Sequence, residues 1–347
     1  MGRAAYRVEV DYPSVGRPRY FLVKDVRVGE KRTKVKKYLG INPPDTREKA
    51  RLSSKHATEM ELRAAAQKGD LSVEAYQAEF LSREHLLEVE RVRSIYDSVL
   101  GFLTTNEVEA YESQFEVSYI QGTTSIEGNT LTRSEAESLL LHGLTPEGKA
   151  LREINEVQNF KKVVAYRNSF KRKVTAGFIQ NLHALVMDNI DRETPGAFRR
   201  RDDLGIAGCD LQVTPSSLIE EELDKIISEY YYALDREKHP FEQAVAFHYK
   251  FEMIHPFTDG NGRVGREILN YMLTRSHYPR LLFLGKDRTR YIGALLRGNV
   301  DNYSAMVSTF AELIIEQRLR ILEERLRQIA PGVKRIGQTR LEEFVTE

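Results

Sequence analysis

From Tyr6 to Gly40 apolar and polar residues alternate, the period of two that lets a strand bury one face and solvate the other. Tyr6-Arg7-Val8-Glu9-Val10 opens the pattern, the stretch from Pro13 to Pro18 breaks it, and Tyr20-Phe21-Leu22-Val23 through Val28 resumes it. Gly29-Glu30 suits a two-residue hairpin turn, and Asn42-Pro43-Pro44 ends the run. A small β-rich appendage over 1–44 is predicted, and it is basic, because Lys31, Arg32, Lys34, Lys36 and Lys37 crowd its last strand. From Asp45 the period lengthens to that of a helix, with Asp45 and Thr46 as candidate N-caps. Asp70-Leu71-Ser72, just after Lys68-Gly69, predicts a second helix start, and Val92, Tyr96, Val99 and Leu103 fall on one helical packing face. Residues 45–107 therefore read as a helical linker region.

Residues 108–305 are helix after helix separated by Gly, Pro and Asn, without the strand–helix alternation of a parallel sheet. The fold class is mainly α. Gly196 to Pro215 is the exception, where glycines and β-branched residues predict an irregular loop or short β-hairpin. A C-terminal helix over 306–330 carries Phe310, Leu313, Ile314 and Ile321 on one face, and a tail over 331–347 follows Pro331-Gly332.

With 347 residues, 41% of them hydrophobic, the chain can bury a substantial core, and its net charge of +1 gives no global pull toward nucleic acid or membrane. Cys209 is the single cysteine, which excludes an internal disulfide and a thiolate zinc cluster and fits a reducing setting. No stretch approaches the roughly 20 apolar residues of a membrane helix, and Met1-Gly2-Arg3-Ala4-Ala5-Tyr6 lacks a signal-peptide core. The expectation is a cytoplasmic protein without a membrane partner.

The chemistry concentrates in His255-Pro256-Phe257-Thr258-Asp259-Gly260-Asn261-Gly262-Arg263-Val264-Gly265-Arg266, which leads into the apolar run Ile268 to Leu273. A Gly-Asn-Gly segment at the start of a buried helix leaves backbone N–H groups pointing outward, a ready anion site. His255 is the natural general base, and Asp259 is a hard oxygen ligand suited to Mg2+. Arg263 and Arg266, one turn apart, can clamp phosphate oxygens, and Phe257 is expected to anchor the loop in the core. Gly260 to Gly265 also matches G-x-G-x-x-G, but Phe247 to Ile254 before it reads as helix, so the dinucleotide-fold reading is set aside.

Taken together, this run resembles the Fic family signature, H-x-F-x-D/E-G-N-G-R-x-x-R, at every specified position. Phe247 to Ile254 resembles the helix before the Fic loop, and Gly196-Ala197-Phe198-Arg199 the G-x-F/Y-R element before its target-binding flap. The resemblance spans about 110–305, within a Fic-type domain assigned to 108–305. It implies a helical domain with a short β-hairpin flap that transfers AMP from Mg-ATP to a Ser, Thr or Tyr hydroxyl of a target protein. In that reading His255 is the base and Asp259 holds Mg2+. Gly260, Asn261, Gly262 and Arg263 bind the α- and β-phosphates, and Arg266 serves the γ-phosphate. Arg290-Tyr291-Ile292-Gly293-Ala294-Leu295 resembles the segment beside the adenine, so Tyr291 is either a base-stacking residue or a core residue. Thr214-Pro215-Ser216 departs from the paired prolines common after the flap, and His248 reads as structural.

Thr123-Thr124-Ser125-Ile126-Glu127-Gly128-Asn129 resembles the family's inhibitory motif, S/T-x-x-x-E-G/N, and also reads as a helix end stopped by Gly128. The resemblance implies that Glu127 pairs with Arg266 and takes the place of the γ-phosphate. The same site could instead remove AMP from a modified target. Self-modification and homo-oligomerisation stay open. A reading of another class makes the basic sheet from Arg17 to Lys37, with Tyr20, Phe21 and Tyr38, a nucleic-acid or protein binding surface. Against it stands the plainer role of solvated edge lysines that discourage strand pairing.

Overall fold

The computed structural model describes residues 6–191, 194–202, 213–298 and 302–329. The tail 331–347 and Cys209 fall outside these residues, as does 203–212 of the hairpin flap expected within 196–215. The chain divides into two compact units, one of Met1–Tyr111, His277–Pro279 and Ala311–Glu347, the other of Glu112–Ser276 and Arg280–Phe310.

In the first unit the period-two pattern becomes an antiparallel sheet of β1 (Arg7–Asp11), β2 (Arg19–Val28) and β3 (Lys31–Gly40), in the order β1-β2-β3. Val28 pairs with Lys31 across a turn in which Gly29 takes φ +55°, the left-handed backbone that a tight hairpin needs. One face of the sheet turns Leu22, Val26 and Val35, with Tyr6, onto Ala57, Met60 and Ala64 of α1 (Thr46–Ala75). Asp45 caps α1, accepting from the Glu48 N–H at 2.7 Å.

The second helix start expected at Asp70 is not there, since α1 continues through it and α2 (Arg83–Phe102) begins only after Ser82, which accepts from the His85 N–H at 3.1 Å. Gly69 is a packing residue, not a stop: a β-carbon on it would lie 3.0 Å from the Leu87 carbonyl of α2. Ser72, which looked like a cap, donates to the Lys68 carbonyl and to Glu90 of α2, each at 2.8 Å. The face of Val92, Tyr96, Val99 and Leu103 is buried as the spacing predicted.

The remaining helices are α3 (Thr105–Ser125), α4 (Arg133–His142), α5 (Leu151–Ser169), α6 (Ala176–Val186), α7 (Ile219–Asp235), α8 (Pro240–Ile254), α9 (Asn261–Arg275), α10 (Arg288–Arg297) and α11 (Ser304–Ile329). The mainly α class holds. In the second unit α9 is the pivot, packed against α8 and α6 and buried nearly all round, as a helix carrying Val264, Ile268, Leu269 and Leu273 at 0% exposure must be. None of the described helices is long and apolar enough to cross a membrane.

Close approach explains one more glycine. Gly122 lies on α3 where a β-carbon would sit 2.5 Å from the Phe283 carbonyl, whereas Gly101 on α2 has nothing within 4 Å. Gly122→Ala is therefore expected to lower the thermal midpoint by several degrees through overpacking of about 1–3 kcal/mol. Gly101→Ala should leave it equal or raised by up to about 1 kcal/mol of helix propensity. Thermal melts of the two variants, read side by side, check the contrast.

Candidate functional site

α8 ends at His255 in a left-handed conformation, φ +49° and ψ +59°, with its N–H on the Phe251 carbonyl at 3.0 Å. A non-glycine residue held there marks a strained turn that its surroundings must enforce. They do so through side chains. Arg199, 4% exposed, donates from Nε to the His255 carbonyl at 2.8 Å and from its backbone N–H to the Pro256 carbonyl at 2.9 Å. Its Nη2 reaches the carbonyl of Thr214 and, at 3.3 Å, that of Ile254. Phe257 is fully buried and stacks on the His183 ring at 3.7 Å.

His183 fixes the loop's far side. The Gly196 N–H donates to its Nδ1 at 2.8 Å, so Nε2 carries the proton and donates to the Asp259 carbonyl at 3.0 Å. Burial agrees, pushing the His183 imidazole down to about 4 and keeping it neutral. Asn261 completes the brace: its amide accepts from the Phe257 N–H at 2.9 Å and donates to the Phe257 carbonyl at 2.7 Å. The phosphate role expected of Asn261 thus leaves only its backbone N–H, because the side chain is spent on the loop. Gly260 takes φ +81° and turns the chain into α9, whose first amides carry no intrahelical partner.

Around this loop the charges pair in two sets. Arg263, 2% exposed, meets Glu156 and Asp259, each at 3.1 Å, instead of standing free as a phosphate fork. Asp259 is also held by Arg152 at 2.5 Å, a half-exposed pair at the surface. Burial works against its charge, but Arg263, the Gly260 N–H and Arg152 outweigh it and hold the carboxyl below its ordinary range. Arg266 has different partners. It is fully buried and donates from Nε to Thr123 Oγ1 at 2.9 Å, and from Nη2 to the Thr123 carbonyl at 2.9 Å and to Glu127 at 2.7 Å. Among the described residues Arg263 and Arg266 share no hydrogen-bond partner.

Glu127 stands just past the end of α3, where its N–H reaches the Thr124 carbonyl at 3.0 Å and Gly128, at φ +97°, stops the helix. Its side chain is 37% exposed beside a guanidinium with no exposure. A β-carbon on Gly262 would lie 2.5 Å from Glu127 Oε1 and 2.9 Å from Arg266 Nη1, so this glycine makes room for the pair. The next residue but one after Glu127, Asn129, donates to Glu156 at 2.9 Å, the carboxylate that also holds Arg263.

Tyr291 is a core residue in this arrangement. It is 3% exposed, hydrogen-bonded to His248 at 2.9 Å and stacked against Phe310 at 6.0 Å, so its ring offers no free face to a base. His248 is structural as read, buried and pushed down to about 3 by desolvation and then by Arg266. Sequence reasoning missed Glu252, whose place three residues before His255 gave no motif signal. Buried on α8, it has one carboxyl oxygen without a hydrogen-bond partner among the described residues, and a β-carbon on Gly265 would sit 2.4 Å from that oxygen. Desolvation raises its pKa to about 8. It also missed Glu156, Arg152 and His183, which lie far from the motif in sequence and join it only by folding.

His255 is half-buried at the mouth of these amides, and burial holds its imidazole below the ordinary 6.5 and hence neutral near pH 7. A neutral imidazole, a helix N-terminus and two buried guanidiniums define a base-bearing anion site in a helical fold. Residues 173–273 match the Fic/DOC family model. Among curated relatives, protein adenylyltransferase fic-1 of Caenorhabditis briggsae is 30% identical over 202 residues, 56% of this chain and 39% of that one. Protein adenylyltransferase Fic of Drosophila willistoni is 31% identical over 202 residues with the same shares. The chain thus spans about two fifths of the length of these relatives. Among solved structures, a Fic domain containing signaling protein from Bacteroides thetaiotaomicron aligns with a TM-score of 0.62 at 20% identity, covering 69% of this chain and 97% of that one. A fragment of Fic-1 from C. elegans aligns at 0.54 with 21% identity, covering 81% and 92%. Both are likenesses of fold.

Glu252 yields a stability test. With a folded pKa raised from 4.5 to about 8, the folded chain keeps a proton that the unfolded chain releases, so this group's contribution falls as pH rises between those values. Glu252→Gln removes the titration. The thermal midpoint of the variant, relative to the parent, should rise from about pH 5 to about pH 8; a difference that stays flat would show Glu252 to be ionised when folded.

Proposed function

We propose that this chain is a protein adenylyltransferase that moves AMP from Mg-ATP to a hydroxyl side chain of a target protein and is restrained by Glu127. The observation that carries the reading is the placement of a neutral, half-buried His255 at the left-handed end of α8, directly before the open N-terminus of α9. The likeness to curated adenylyltransferases supports it.

In this reading His255 takes the proton of the target hydroxyl. The hydroxyl oxygen forms a bond to the α-phosphorus as the bond to the bridging oxygen breaks, and pyrophosphate leaves with the electron pair. The amides of Gly260 to Gly262 and Arg263 face the phosphates. Arg263, buried in pairs with Glu156 and Asp259, sets the position of Asp259 as well. Mg2+ fits the residues present: Asp259 offers an ionised, half-exposed carboxylate, and among the described residues no group of three or more His, Cys, Asp or Glu could hold the ion alone. A cation that arrives with ATP needs one or two protein carboxylates, its other ligands being phosphate and water. Bound there, it would neutralise phosphate charge, once Arg152 releases Asp259.

Arg266 is the cation for the terminal phosphate, and Glu127 now occupies it at 2.7 Å. Two anions cannot share one guanidinium without mutual repulsion, so ATP must displace Glu127 or bind in a pose that leaves its γ-phosphate elsewhere. Exposure makes displacement feasible, because the Glu127 carboxylate can turn to water while the buried arginine cannot follow.

Self-labelling with radiolabelled ATP tests the reading. Glu127→Gly should raise the rate at least about tenfold, the scale of a charge-assisted hydrogen bond, whereas His255→Ala in that background should lower it by about 10²-fold or more. Equal labelling by parent and Glu127→Gly, both folded, would remove the restraint. In the Glu127→Gly protein the base must be unprotonated, so the acid limb of the rate should lie below the ordinary imidazole value of 6.5. A limb at or above that pH would discount His255 as the base.

A further inference from the structure

The sheet of the first unit has a second face. Cross-strand register places Arg27 opposite Arg32, Asp25 opposite Lys34, Val23 between Arg7 and Lys36, and Phe21 between Glu9 and Tyr38. These residues alternate with Leu22, Val26, Val28 and Val35, which are buried, and Asp25, Arg27, Arg32, Lys34, Lys36 and Tyr38 are exposed. The face is therefore an open cationic stripe that runs along β2 and β3 and ends on an aromatic pair. Phe21 and Tyr38 have ring centroids 5.5 Å apart, and Tyr38 remains 51% exposed.

Carboxylates neutralise only one part of the stripe. Glu9 gathers Arg7 at 2.6 Å, Lys34 at 2.9 Å and Lys36 at 3.4 Å, and these partners hold its carboxyl down at about 2. Asp25 also meets Arg7, at 2.9 Å, so two anions serve these three cations and one positive charge is left over. At the hairpin end, Arg27 and Arg32 face each other directly and form no ion pair among the described residues, Arg27 donating only to the Gly29 carbonyl at 2.7 Å. Like charges directly opposite on a sheet destabilise it. An anion between them would remove that cost. Edge lysines that prevent strand pairing account for cations on β3, but not for Arg27 on the central strand, nor for an exposed Tyr38 packed on a half-buried Phe21 at the end of the row.

We propose that this face binds single-stranded nucleic acid, with backbone phosphates along Arg27 and Arg32, Lys34 and Lys36, and a base stacked on Tyr38. Successive cations on one face of a strand recur every two residues, about 6.8 Å apart, a spacing that suits an extended phosphate backbone. A basic track beside an aromatic platform is the combination that holds single strands without reading their sequence. An acidic peptide would satisfy the cations but give Tyr38 no π-face to stack.

Fluorescence anisotropy of the whole chain with labelled oligo-dT and oligo-U of about 20 nucleotides tests this at about 50 mM and about 200 mM salt. Single strands should bind more tightly than a duplex of the same length, and binding should weaken steeply with salt. The double variant Arg27→Glu, Arg32→Glu should lose at least about tenfold in affinity, and Tyr38→Ala about fivefold or more for single strands. Far-UV circular dichroism verifies the fold, and Arg32→Glu alone, on the edge strand, repeats the test if the double variant unfolds. No binding at low salt, an affinity indifferent to charge reversal, a duplex preferred over a single strand, or equal competition by polyglutamate would each overturn the proposal.

Discussion

The second unit is organised around a cation that cannot leave. A guanidinium does not give up its proton in a protein, so burying Arg266 at 0% exposure obliges the fold to surround it with acceptors. Thr123 supplies two and Glu127 the third, and Glu127 strengthens the charged form against the desolvation that opposes it. Nη1 has no hydrogen-bond partner among the described residues. Such a residue is a standing demand for an anion. Under the proposed function the same demand explains both the attraction for a terminal phosphate and the restraint, since a carboxylate from the chain meets it first.

The loop before α9 follows from a related constraint on the backbone. It has no ladder of its own, so its carbonyls and N–H groups must find side chains. Arg199 takes the carbonyl of His255, His183 that of Asp259, and Asn261 both polar groups of Phe257. This division separates residues that look alike in the motif. Asp259 is half-exposed and His255 half-buried, Asn261 and Phe257 hold the loop, and Arg263 is committed to carboxylates. A motif records that all are needed; geometry tells them apart.

Much of this was legible in the sequence, for reasons that can be named. The three strands followed from a strict period of two, and the hairpin from Gly29 at a position needing positive φ. The motif was legible because its members lie within one loop and one helical turn. Errors arose where a local signal met a tertiary one: Gly69 and Ser72 look like a helix boundary but serve the contact of α1 with α2. Tyr291, left open between base and core, is placed in the core by His248 and Phe310, neither near it in sequence. Glu156, His183 and Glu252 were invisible for the same reason, because a polar side chain on an ordinary helix carries no sign of what will be folded against it.

Glu156 shows how far such a residue can matter. It accepts from Asn129, two residues beyond Glu127, and from Arg263, which in turn holds Asp259. The segment that carries Glu127 and the arginine that holds Asp259 thus share one buried anion. Asn129, Glu156 and Arg263 form a hydrogen-bonded path of three side chains from the Glu127 segment to Asp259. Coupling of this kind requires two arrangements that the same groups can satisfy. The half-exposed Glu127, able to trade Arg266 for water, and Arg152, able to swing from Asp259 at the surface, are the two members of the network with that freedom. The buried members fix the distances, and the exposed ones supply the choice.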